Sequence, residues 1–252
     1  MIKVLINGAC GRMGCEVEKL VDAAEDMKAA AKVDKMADKS GCYSDINDFD
    51  GEADVIIDFS NHLGTAELLE YAVRKNIPTV IATTGHTDEE LKMISEAAKK
   101  IPVFHSANMS LGVALLVELA KRAAEVMPDA DIEIVETHHN RKLDAPSGTA
   151  LMIAKELKKV RQKAKFVLGR SGNGKREPDE IGISAVRRGN IVGIHEVYVS
   201  TDSQTITLKH EAHSRALFAE GGISAARFLL GKPEGLYDMN SIVTEYLFRE
   251  KG

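Results

Sequence analysis

The sequence predicts an α/β protein in two parts, a doubly wound parallel sheet followed by an α+β region with a mixed sheet. Three observations lead to this prediction. Short apolar runs alternate with amphipathic stretches over the first hundred residues, a glycine-rich turn joins the first run to the first amphipathic stretch, and the alternation changes after Pro128. Unbroken apolar strands separated by helices are typical of a parallel sheet that helices cover on both faces.

The first part alternates strands and helices in a regular order. Strands are predicted at 2–6, 27–33, 55–59, 79–82 and 103–105, and helices at 13–24, 65–75 and 88–100. After Pro128 the strand-like runs follow one another, which favours a mixed or antiparallel sheet. These strands are predicted at 131–136, 181–187, 192–200 and 204–211, around one long helix at 149–161.

Two later segments complete the predicted organisation. A helical stretch at 216–230 and the tail that follows it are expected to return to the first part of the chain. The segment 169–180 contains glycine, asparagine, proline and many charges, and such composition predicts a connecting loop between strands.

Composition excludes several classes of function. A chain of 252 residues with 44% hydrophobic side chains can bury a sizeable core, and its net charge of -5 gives no general attraction for nucleic acid or an anionic membrane. The three cysteines show no metal-binding spacing, and there is no apolar run long enough for a membrane span and no secretory signal. We expect a cytoplasmic protein that binds neither nucleic acid nor a membrane.

The first strand runs directly into a glycine-rich loop that reads GACGRMG from Gly8 to Gly14. Glycine lets a backbone turn tightly and approach a pyrophosphate, while the following helix offers free amides and a partial positive charge. Asp34 follows the second strand directly and comes 20 residues after Gly14, about where Rossmann units place a carboxylate on the adenosine ribose. Lys35 is suited to a 2′-phosphate, so the pair suggests use of both NADH and NADPH. A tight turn without a ligand is the alternative.

Polar turns also follow the fourth and fifth predicted strands. The first reads ATTG at 82–85 and the second SANM at 106–109. Each alone is typical of an ordinary turn or helix cap. Because the carboxyl ends of parallel strands form the ligand-binding edge of an open sheet, their repeated position favours cofactor contacts.

A cluster of charged and hydroxyl side chains follows the strand predicted at 131–136. It reads HHNRKLDAPSGT from His138 to Thr149 and precedes a helix. Amides at the helix N-terminus and the Thr149 hydroxyl are suited to a carboxylate, while Lys142 and the histidines supply protons and positive charge. The cluster predicts that a small dianionic substrate reacts here. The alternative is a simple helix cap at Ser147 with surface histidines.

Two further sequence patterns resemble a P-loop and a metal site, but neither predicts such a site. The run GRSGNGK at 169–175 has P-loop spacing, but Arg176 stands where magnesium needs Ser or Thr, and Pro178 prevents an immediate helix. His210 and His213 lie in a strand-like run without a third ligand nearby. We expect neither ATP hydrolysis nor a metal site.

The segment 133–150 resembles the signature of the 4-hydroxy-tetrahydrodipicolinate reductase family, also called dihydrodipicolinate reductase. That signature has the form E-[IV]-x-E-x-H-x-x-x-K-x-D-x-P-S-G-T-A, and every fixed position matches. GACGRMG, ATTG, SANMS, IGISAVRRGNIVGIHEV and SRALFAEG also resemble the family, so the resemblance spans nearly the whole chain.

The resemblance implies an NAD(P)H-dependent oxidoreductase of lysine and diaminopimelate biosynthesis that forms a homotetramer. It implies a Rossmann dinucleotide-binding domain at 1–109 with 216–252, and a substrate-binding and tetramerisation domain at 110–215. His138 is implied as the catalytic acid/base and Lys142 as the proton donor. The implied substrate-binding residues are His139, Ser147, Gly148 and Thr149. The implied cofactor-binding residues are Gly8, Ala9, Cys10, Gly11, Arg12, Met13, Asp34, Lys35, Ala82, Thr83, Thr84, Ser106, Ala107, Asn108 and Met109.

Two positions depart from the family pattern. The family often has Gly where Ala82 stands, and Phe next to the nicotinamide where Met109 stands. A flexible thioether thus replaces an aromatic ring face at position 109. Neither change removes a chemical group that the reaction needs.

The hypothesis for function is hydride transfer to a conjugated cyclic imine, which forms from 4-hydroxy-tetrahydrodipicolinate by loss of water, with proton donation by Lys142 or His138. The product is tetrahydrodipicolinate. One alternative is another small amino- or imino-acid dehydrogenase, such as aspartate dehydrogenase, which shares the glycine loop without requiring the 138–149 cluster. Another is a protein that senses NAD(P)H without turnover.

Overall fold

The computed structural model describes residues 1–36 and 41–248. The chain divides into two compact units, the first made of Met1–Leu111 with the described part of Ala216–Gly252, and the second of Gly112–Arg215. The described part of the segment after position 215 therefore belongs to the first unit. No helix among the described residues is long and apolar enough to cross a membrane.

The described residues contain eleven strands, seven α-helices and two short 3-10 helices, Ile46–Asp48 and His62–Gly64. The strands are β1 (Ile2–Asn7), β2 (Met27–Val33), β3 (Val55–Asp58), β4 (Thr79–Ile81), β5 (Pro102–His105), β6 (Asp131–His138), β7 (Lys165–Leu168), β8 (Glu180–Arg187), β9 (Gly193–Ser200), β10 (Thr205–Ala212) and β11 (Gly235–Tyr237). The helices are α1 (Arg12–Ala23), α2 (Thr65–Lys75), α3 (Asp88–Ala97), α4 (Leu111–Val126), α5 (Gly148–Val160), α6 (Ala216–Leu229) and α7 (Met239–Phe248).

The first unit contains a six-stranded sheet in the order β11-β5-β4-β3-β1-β2, and all of its neighbouring strands run parallel. This confirms the predicted doubly wound sheet. Every residue of β3 and β4 is buried, as expected for strands covered on both faces. The strand order reverses at β1, so the crevice outside the carboxyl ends of β1 and β3 is the switch point where such sheets bind ligands.

The second unit contains a five-stranded sheet in the order β10-β9-β6-β8-β7. The central strand β6 runs parallel to β8 and antiparallel to β9, which confirms the predicted mixed sheet. Helices α4 and α5 pack on the same face of this sheet, where Leu116 and Leu157 meet Ile134 in one buried cluster. Residues on the opposite face of the sheet, including Val135, Val186 and Tyr198, remain partly exposed.

Four of the strands and α-helices were absent from the sequence prediction, and one of them is helix α7 at Met239–Phe248 in the tail of the chain. Helix α4 lies in a stretch for which no element was predicted, although Val113, Leu116, Val117, Ala120 and Ala124 recur at helical spacing and are buried. The other two, β7 and β11, are edge strands of four and three residues. Such short edge strands depend on pairing with a neighbour, so their own sequence carries a weak signal.

Candidate functional site

The end of β6 carries two polar side chains onto the buried face of the second sheet. Side chains alternate along a strand, so Glu136 and His138 follow Ile132 and Ile134 on the face that α4 and α5 cover. Glu136 is fully buried and His138 is nearly so. Register then sets their neighbours, since Glu136 pairs with His195 of β9 and His138 pairs with Arg187 of β8.

The Glu136 carboxylate binds groups from three parts of the unit. Arg187 donates to both of its oxygens, at 2.7 and 2.8 Å, in a bidentate pair. The Ser147 amide donates at 2.9 Å, and Nδ1 of His138 lies 2.6 Å from Oε2. Burial alone would raise the pKa of Glu136, but the hydrogen bonds from His138, Arg187 and Ser147 outweigh it and lower the pKa to about 2.

This arrangement sets the orientation of the His138 ring. An ionised carboxylate only accepts hydrogen bonds, so the Nδ1–H of His138 donates to Glu136 and Nε2 is left for chemistry. Gly193 keeps the space beside Nε2 open, because a Cβ at position 193 would lie 3.0 Å from that nitrogen. A histidine held by a carboxylate at one nitrogen and open at the other is the usual arrangement of an acid/base group.

A second buried histidine supports the start of α5. His195 Nε2 lies 3.2 Å from the Ser147 hydroxyl, which also accepts a hydrogen bond from the Ala150 amide as the N-cap of the helix. Burial, together with the neighbouring His138, lowers the pKa of His195 to about 4, so the His195 ring is neutral at pH 7. Ser147 is therefore a cap, as the alternative interpretation predicted, and is also connected to the histidine pair.

Lys142 and the first turn of α5 surround a carboxylate of the chain itself. Lys142 Nζ lies 2.8 Å from Asp144 Oδ1. The hydrogen bond from Lys142 lowers the pKa of Asp144, with a further contribution from the backbone of Gly148. Gly148 has open space around its Cα, and Thr149 is half-buried beside it. The start of α5 thus already accommodates one anion.

His139 lies among several cationic side chains. Its amide donates to the Ile191 carbonyl at 2.8 Å, and its Nδ1 has no hydrogen-bond partner among the residues that the structure describes. Burial lowers the pKa of His139, and the neighbouring Arg141, Arg215, His138 and Lys142 lower it further. A region with this much positive charge is suited to a ligand that carries more than one carboxylate.

In the first unit, a buried carboxylate organises the carboxyl edge of the parallel sheet. Asp58 at the end of β3 accepts hydrogen bonds from Asn7, Ser60 and Thr83, at 2.8, 2.6 and 2.7 Å. Burial raises the pKa of Asp58, while these hydrogen bonds oppose the shift. These hydrogen bonds connect the carboxyl ends of β1, β3 and β4. Of the four residues, only Thr83 was named from the sequence as a cofactor-binding residue.

The glycine loop has the geometry that a nucleotide requires. Gly8 adopts a φ of 79°, and a Cβ there would lie 2.6 Å from the Phe59 carbonyl oxygen. A Cβ at Gly14 would lie 2.1 Å from the Gly8 carbonyl oxygen, so the loop packs closely on the start of α1. Gly11 is the N-cap of α1 and supplies no side-chain cap, which leaves the first turn of the helix open to an anion.

A cavity of about 230 Å³ lies beside this loop. Gly8, Gly11, Asp34 and Lys35 line its wall, so the structure brings these four predicted cofactor residues together. Asp34 Oδ2 accepts a hydrogen bond from the Cys10 amide at 2.9 Å. Lys35 Nζ lies 2.7 Å from Glu67 Oε2.

The remaining predicted cofactor residues are spread along the same unit. Ala9 and Ala82 are buried, Met13 is half-buried, and Arg12, Thr84 and Ala107 are exposed. Ser106 donates to the Asn108 carbonyl, and Asn108 in turn accepts from the Ser110 amide. Met109 is only 3% exposed, and α6 packs so closely on it that a Cβ at Gly221 would lie 1.7 Å from its carbonyl oxygen. The Met109 side chain is thus part of the interior of the first unit.

Several residues of the site had no role assigned from the sequence. These are Glu136, Arg187, Gly193, His195 and Arg215 in the second unit, and Asn7, Asp58 and Ser60 in the first. All five in the second unit lie in segments that resemble the family. A glutamate on the core face of an otherwise apolar strand is also a signal in itself, since buried carboxylates need partners.

Comparisons with known proteins agree along nearly the whole chain. The family model for the dihydrodipicolinate reductase N-terminus matches residues 2–109, and the model for the C-terminus of the same family matches residues 112–243. The 4-hydroxy-tetrahydrodipicolinate reductase of Caldanaerobacter subterraneus subsp. tengcongensis is 48% identical over 247 residues, which cover 96% of this chain and 98% of that protein.

Two further similarities point the same way. The 4-hydroxy-tetrahydrodipicolinate reductase of Clostridium novyi is 42% identical over 248 residues, covering 96% of this chain and 98% of that protein. A solved structure of dipicolinate-bound dihydrodipicolinate reductase from Paenisporosarcina sp. TG-14 superposes with a TM-score of 0.80 at 25% identity, covering 94% of this chain and 97% of that one. The chain therefore belongs to the dihydrodipicolinate reductase family.

Proposed function

We propose that this chain, an NAD(P)H-dependent oxidoreductase, reduces 4-hydroxy-tetrahydrodipicolinate, by way of dihydrodipicolinate, to tetrahydrodipicolinate in lysine and diaminopimelate biosynthesis. The observation that carries this proposal is the buried array of Glu136, His138 and Arg187 next to Lys142 and the start of α5. Relatives that share nearly the full length of the chain have this activity as their name. The family models support this function rather than aspartate dehydrogenase or a sensor without turnover.

The residues of the first unit fit a dinucleotide. Gly8 and Gly11 present backbone without side chains to the cavity, and the start of α1 lacks a side-chain cap. We assign the pyrophosphate to this loop and the adenosine ribose to Asp34, with 82–84 and 106–109 as the other contacts. When bound, the nicotinamide supplies the hydride for the reduction.

Proton transfer is assigned to His138 and Lys142. Glu136 fixes the tautomer of His138, so that Nε2 faces the space beside Gly193 and exchanges a proton there. Lys142 lies just before α5, with its Nζ 2.8 Å from Asp144, and is assigned as the donor of the proton that completes the reduction of the ring. Arg187 keeps Glu136 ionised and so acts on His138 indirectly.

Substrate binding is assigned to His139, Ser147, Gly148 and Thr149. The first turn of α5 and Lys142 bind one carboxylate, which takes the place of Asp144. The cations around His139 complement the second carboxylate. The substrate is therefore a small dicarboxylate, and its charge is neutralised by groups that are held in place before it binds.

The two units have separate roles in this proposal. The first is the dinucleotide-binding domain, and the second binds substrate and forms a homotetramer through its sheet. Support for the second role comes from the sheet face opposite α4 and α5, where Val186 is 38% exposed and Val135 and Tyr198 are half-exposed. A mass in solution close to four times 27.4 kDa is expected by light scattering.

The cytoplasm is the proposed location. The three cysteines of this protein are free thiols, as is usual for proteins of a reducing compartment. Amino-acid biosynthesis would supply the proposed substrate in the cytoplasm.

A coupled assay tests the proposed function. The purified protein is supplied with NADH and the freshly formed product of the aldehyde-pyruvate condensation, and the absorbance of NADH is followed. We expect rapid loss of absorbance that depends on that product. Binding of NADH without oxidation would favour a sensor, and oxidation only with oxaloacetate and ammonia would favour aspartate dehydrogenase.

Lys35 is expected to contribute to the use of NADPH. A cation beside Asp34 attracts a 2′-phosphate, and Lys35 reaches it by leaving Glu67. Lys35→Ala should raise the KM for NADPH several-fold and leave the KM for NADH nearly unchanged. Steady-state kinetics with both cofactors measures this, with Lys28→Ala, an exposed lysine near the opposite end of β2, as the control. An unchanged KM for NADPH would remove Lys35 from the cofactor site.

A further inference from the structure

Two of the three cysteines lie side by side next to the glycine loop. The sulfur atoms of Cys10 and Cys42 are 3.7 Å apart, and both side chains are partly exposed. The third, Cys15, is directed elsewhere, since its thiol donates to the Ala9 carbonyl at 3.5 Å. Cys10 and Cys42 are therefore a thiol pair that solution reagents can reach.

The pair joins two backbone segments on either side of Asp34. Cys10 is the third residue of the glycine loop, and its amide donates to Asp34 Oδ2 at 2.9 Å. Cys42 precedes Tyr43, which pairs with the end of β2: its amide donates to the Lys32 carbonyl and its carbonyl accepts from the Asp34 amide. Both segments are thus held by hydrogen bonds that keep the two thiols facing each other.

A bond between these sulfurs requires a small approach. A disulfide has a length of about 2.0 Å, so the two thiols need to move together by less than about 2 Å. We propose that Cys10 and Cys42 form an intramolecular disulfide by exchange with a low-molecular-weight disulfide, and that this bond restrains the glycine loop and weakens cofactor binding.

The exchange proceeds in two balanced steps. The Cys10 thiolate attacks a sulfur of the external disulfide, whose S–S bond breaks and releases one thiolate. Cys42 then loses its proton and attacks the Cys10 sulfur of the mixed disulfide, which releases the second thiolate. Two protein thiols are oxidised, the external disulfide is reduced, and both released thiolates take up the protons.

The environment of Cys42 favours this order of attack. Burial, together with the neighbouring Cys10, raises the pKa of Cys42 to about 11. Cys42 therefore stays protonated at neutral pH, and the first attack belongs to Cys10 on the loop. Cys42 is the resolving thiol.

The effect on the cofactor rests on the proposed function of the glycine loop. Amides of this loop must approach the pyrophosphate closely, and a covalent link at position 10 restrains their movement. Oxidation should therefore lower the affinity for NADH, and bound NADH should slow the oxidation. The disulfide itself is detected without any assumption about the cofactor.

The experiment compares the full-length wild type with three serine variants after incubation with glutathione disulfide. Peptide mass mapping identifies the bonds, and the fluorescence of NADH measures its binding before oxidation, after it, and after dithiothreitol. We expect a disulfide between positions 10 and 42 in wild type and in the control Cys15→Ser, with an NADH Kd raised by about tenfold and restored by reduction. Cys10→Ser and Cys42→Ser should carry at most a mixed disulfide and no 10–42 bond, and the incubation should leave the NADH Kd of Cys10→Ser at the value that this variant shows before oxidation.

Each remaining outcome overturns a defined part of the proposal. Absence of the 10–42 bond, or a bond that involves Cys15, overturns the pairing. A 10–42 bond with unchanged NADH affinity overturns the effect on the loop. Failure of the reduced wild type to bind NADH contradicts the proposed cofactor site instead, and the mass measurement still decides the pairing.

Discussion

Replacing His138 or Lys142 with alanine should lower kcat by at least about 100-fold. Each change removes a group that is assigned to proton transfer, and general acid–base catalysis typically contributes factors of about 100 to 10,000. Neither side chain belongs to the first unit, so the binding of NADH should be retained. Steady-state kinetics with the condensation product gives kcat, and the fluorescence of bound NADH gives the affinity.

A surface lysine on α5 provides the matched control for these variants. Lys159 lies in the last turn of the helix and is exposed in an ion pair with Glu156. Lys159→Ala should keep the kcat of the wild type. Near-normal turnover of His138→Ala or Lys142→Ala would contradict the assignment of that residue.

Replacing Glu136 with alanine should destabilise the protein by about 3–5 kcal/mol. The change leaves Arg187 mostly buried without its carboxylate and leaves the Ser147 amide and His138 Nδ1 without their acceptor. Breaking a buried ion pair by removing one partner has a cost of this size because the other charge stays out of water. Denaturant titration measures the loss, and Glu136→Gln, which keeps the volume, separates lost charge from lost packing.

Glu133 on the same strand is the matched control. It lies on the opposite face of the sheet, where its carboxylate is half-exposed and forms ion pairs with Arg170 and Arg176 at 3.4 and 3.3 Å. Exposed pairs of this kind contribute about 0–1 kcal/mol, so Glu133→Ala should have a small effect. Equal losses from the two variants would contradict the role assigned to Glu136.

Acid should remove the contribution of the ionised Glu136 carboxylate to the free energy of unfolding. The pKa of this carboxyl is about 2 in the folded protein and 4.5 ordinarily, so its ionised form stabilises the fold above pH 4.5. That contribution declines as the pH falls from about 4.5 to 2. The difference in unfolding free energy between wild type and Glu136→Ala should therefore narrow over this interval, and a constant difference would contradict the cause given for the shift.

Periodicity predicted the fold well where elements are long and strongly patterned. The strands predicted at 192–200 and 204–211 agree with β9 and β10, respectively, to within one residue at each end. The same approach overlooked α4, whose apolar spacing is clear, and the short edge strands β7 and β11, which form by pairing with strands distant in the sequence. The spacing of apolar residues within a short segment does not show which distant strand the segment will pair with.

The candidate site was predictable only in part, for a related reason. His138, Lys142 and Ser147 lie close together in the sequence, so their chemistry is visible as a cluster. Arg187 and His195 reach the same site through the register of β8 and β9 with β6, which is a property of the folded sheet. The role of Glu136 follows only from the local sequence and the strand register together. Its partners His138 and Ser147 are near in the sequence, whereas Arg187 reaches it through the pairing of β8 with β6.

The carboxylate of Asp144 occupies the position at Lys142 that a substrate carboxylate would take in the proposed binding step. Lys142 already has a counter-ion 2.8 Å away, so an incoming dicarboxylate exchanges one anion for another instead of neutralising a bare ammonium group. Much of the electrostatic gain is therefore offset by the loss of the resident pair. The site selects its ligand by how well a second carboxylate and a ring fill the space, because a simple monoanion offers Lys142 little that Asp144 does not already provide.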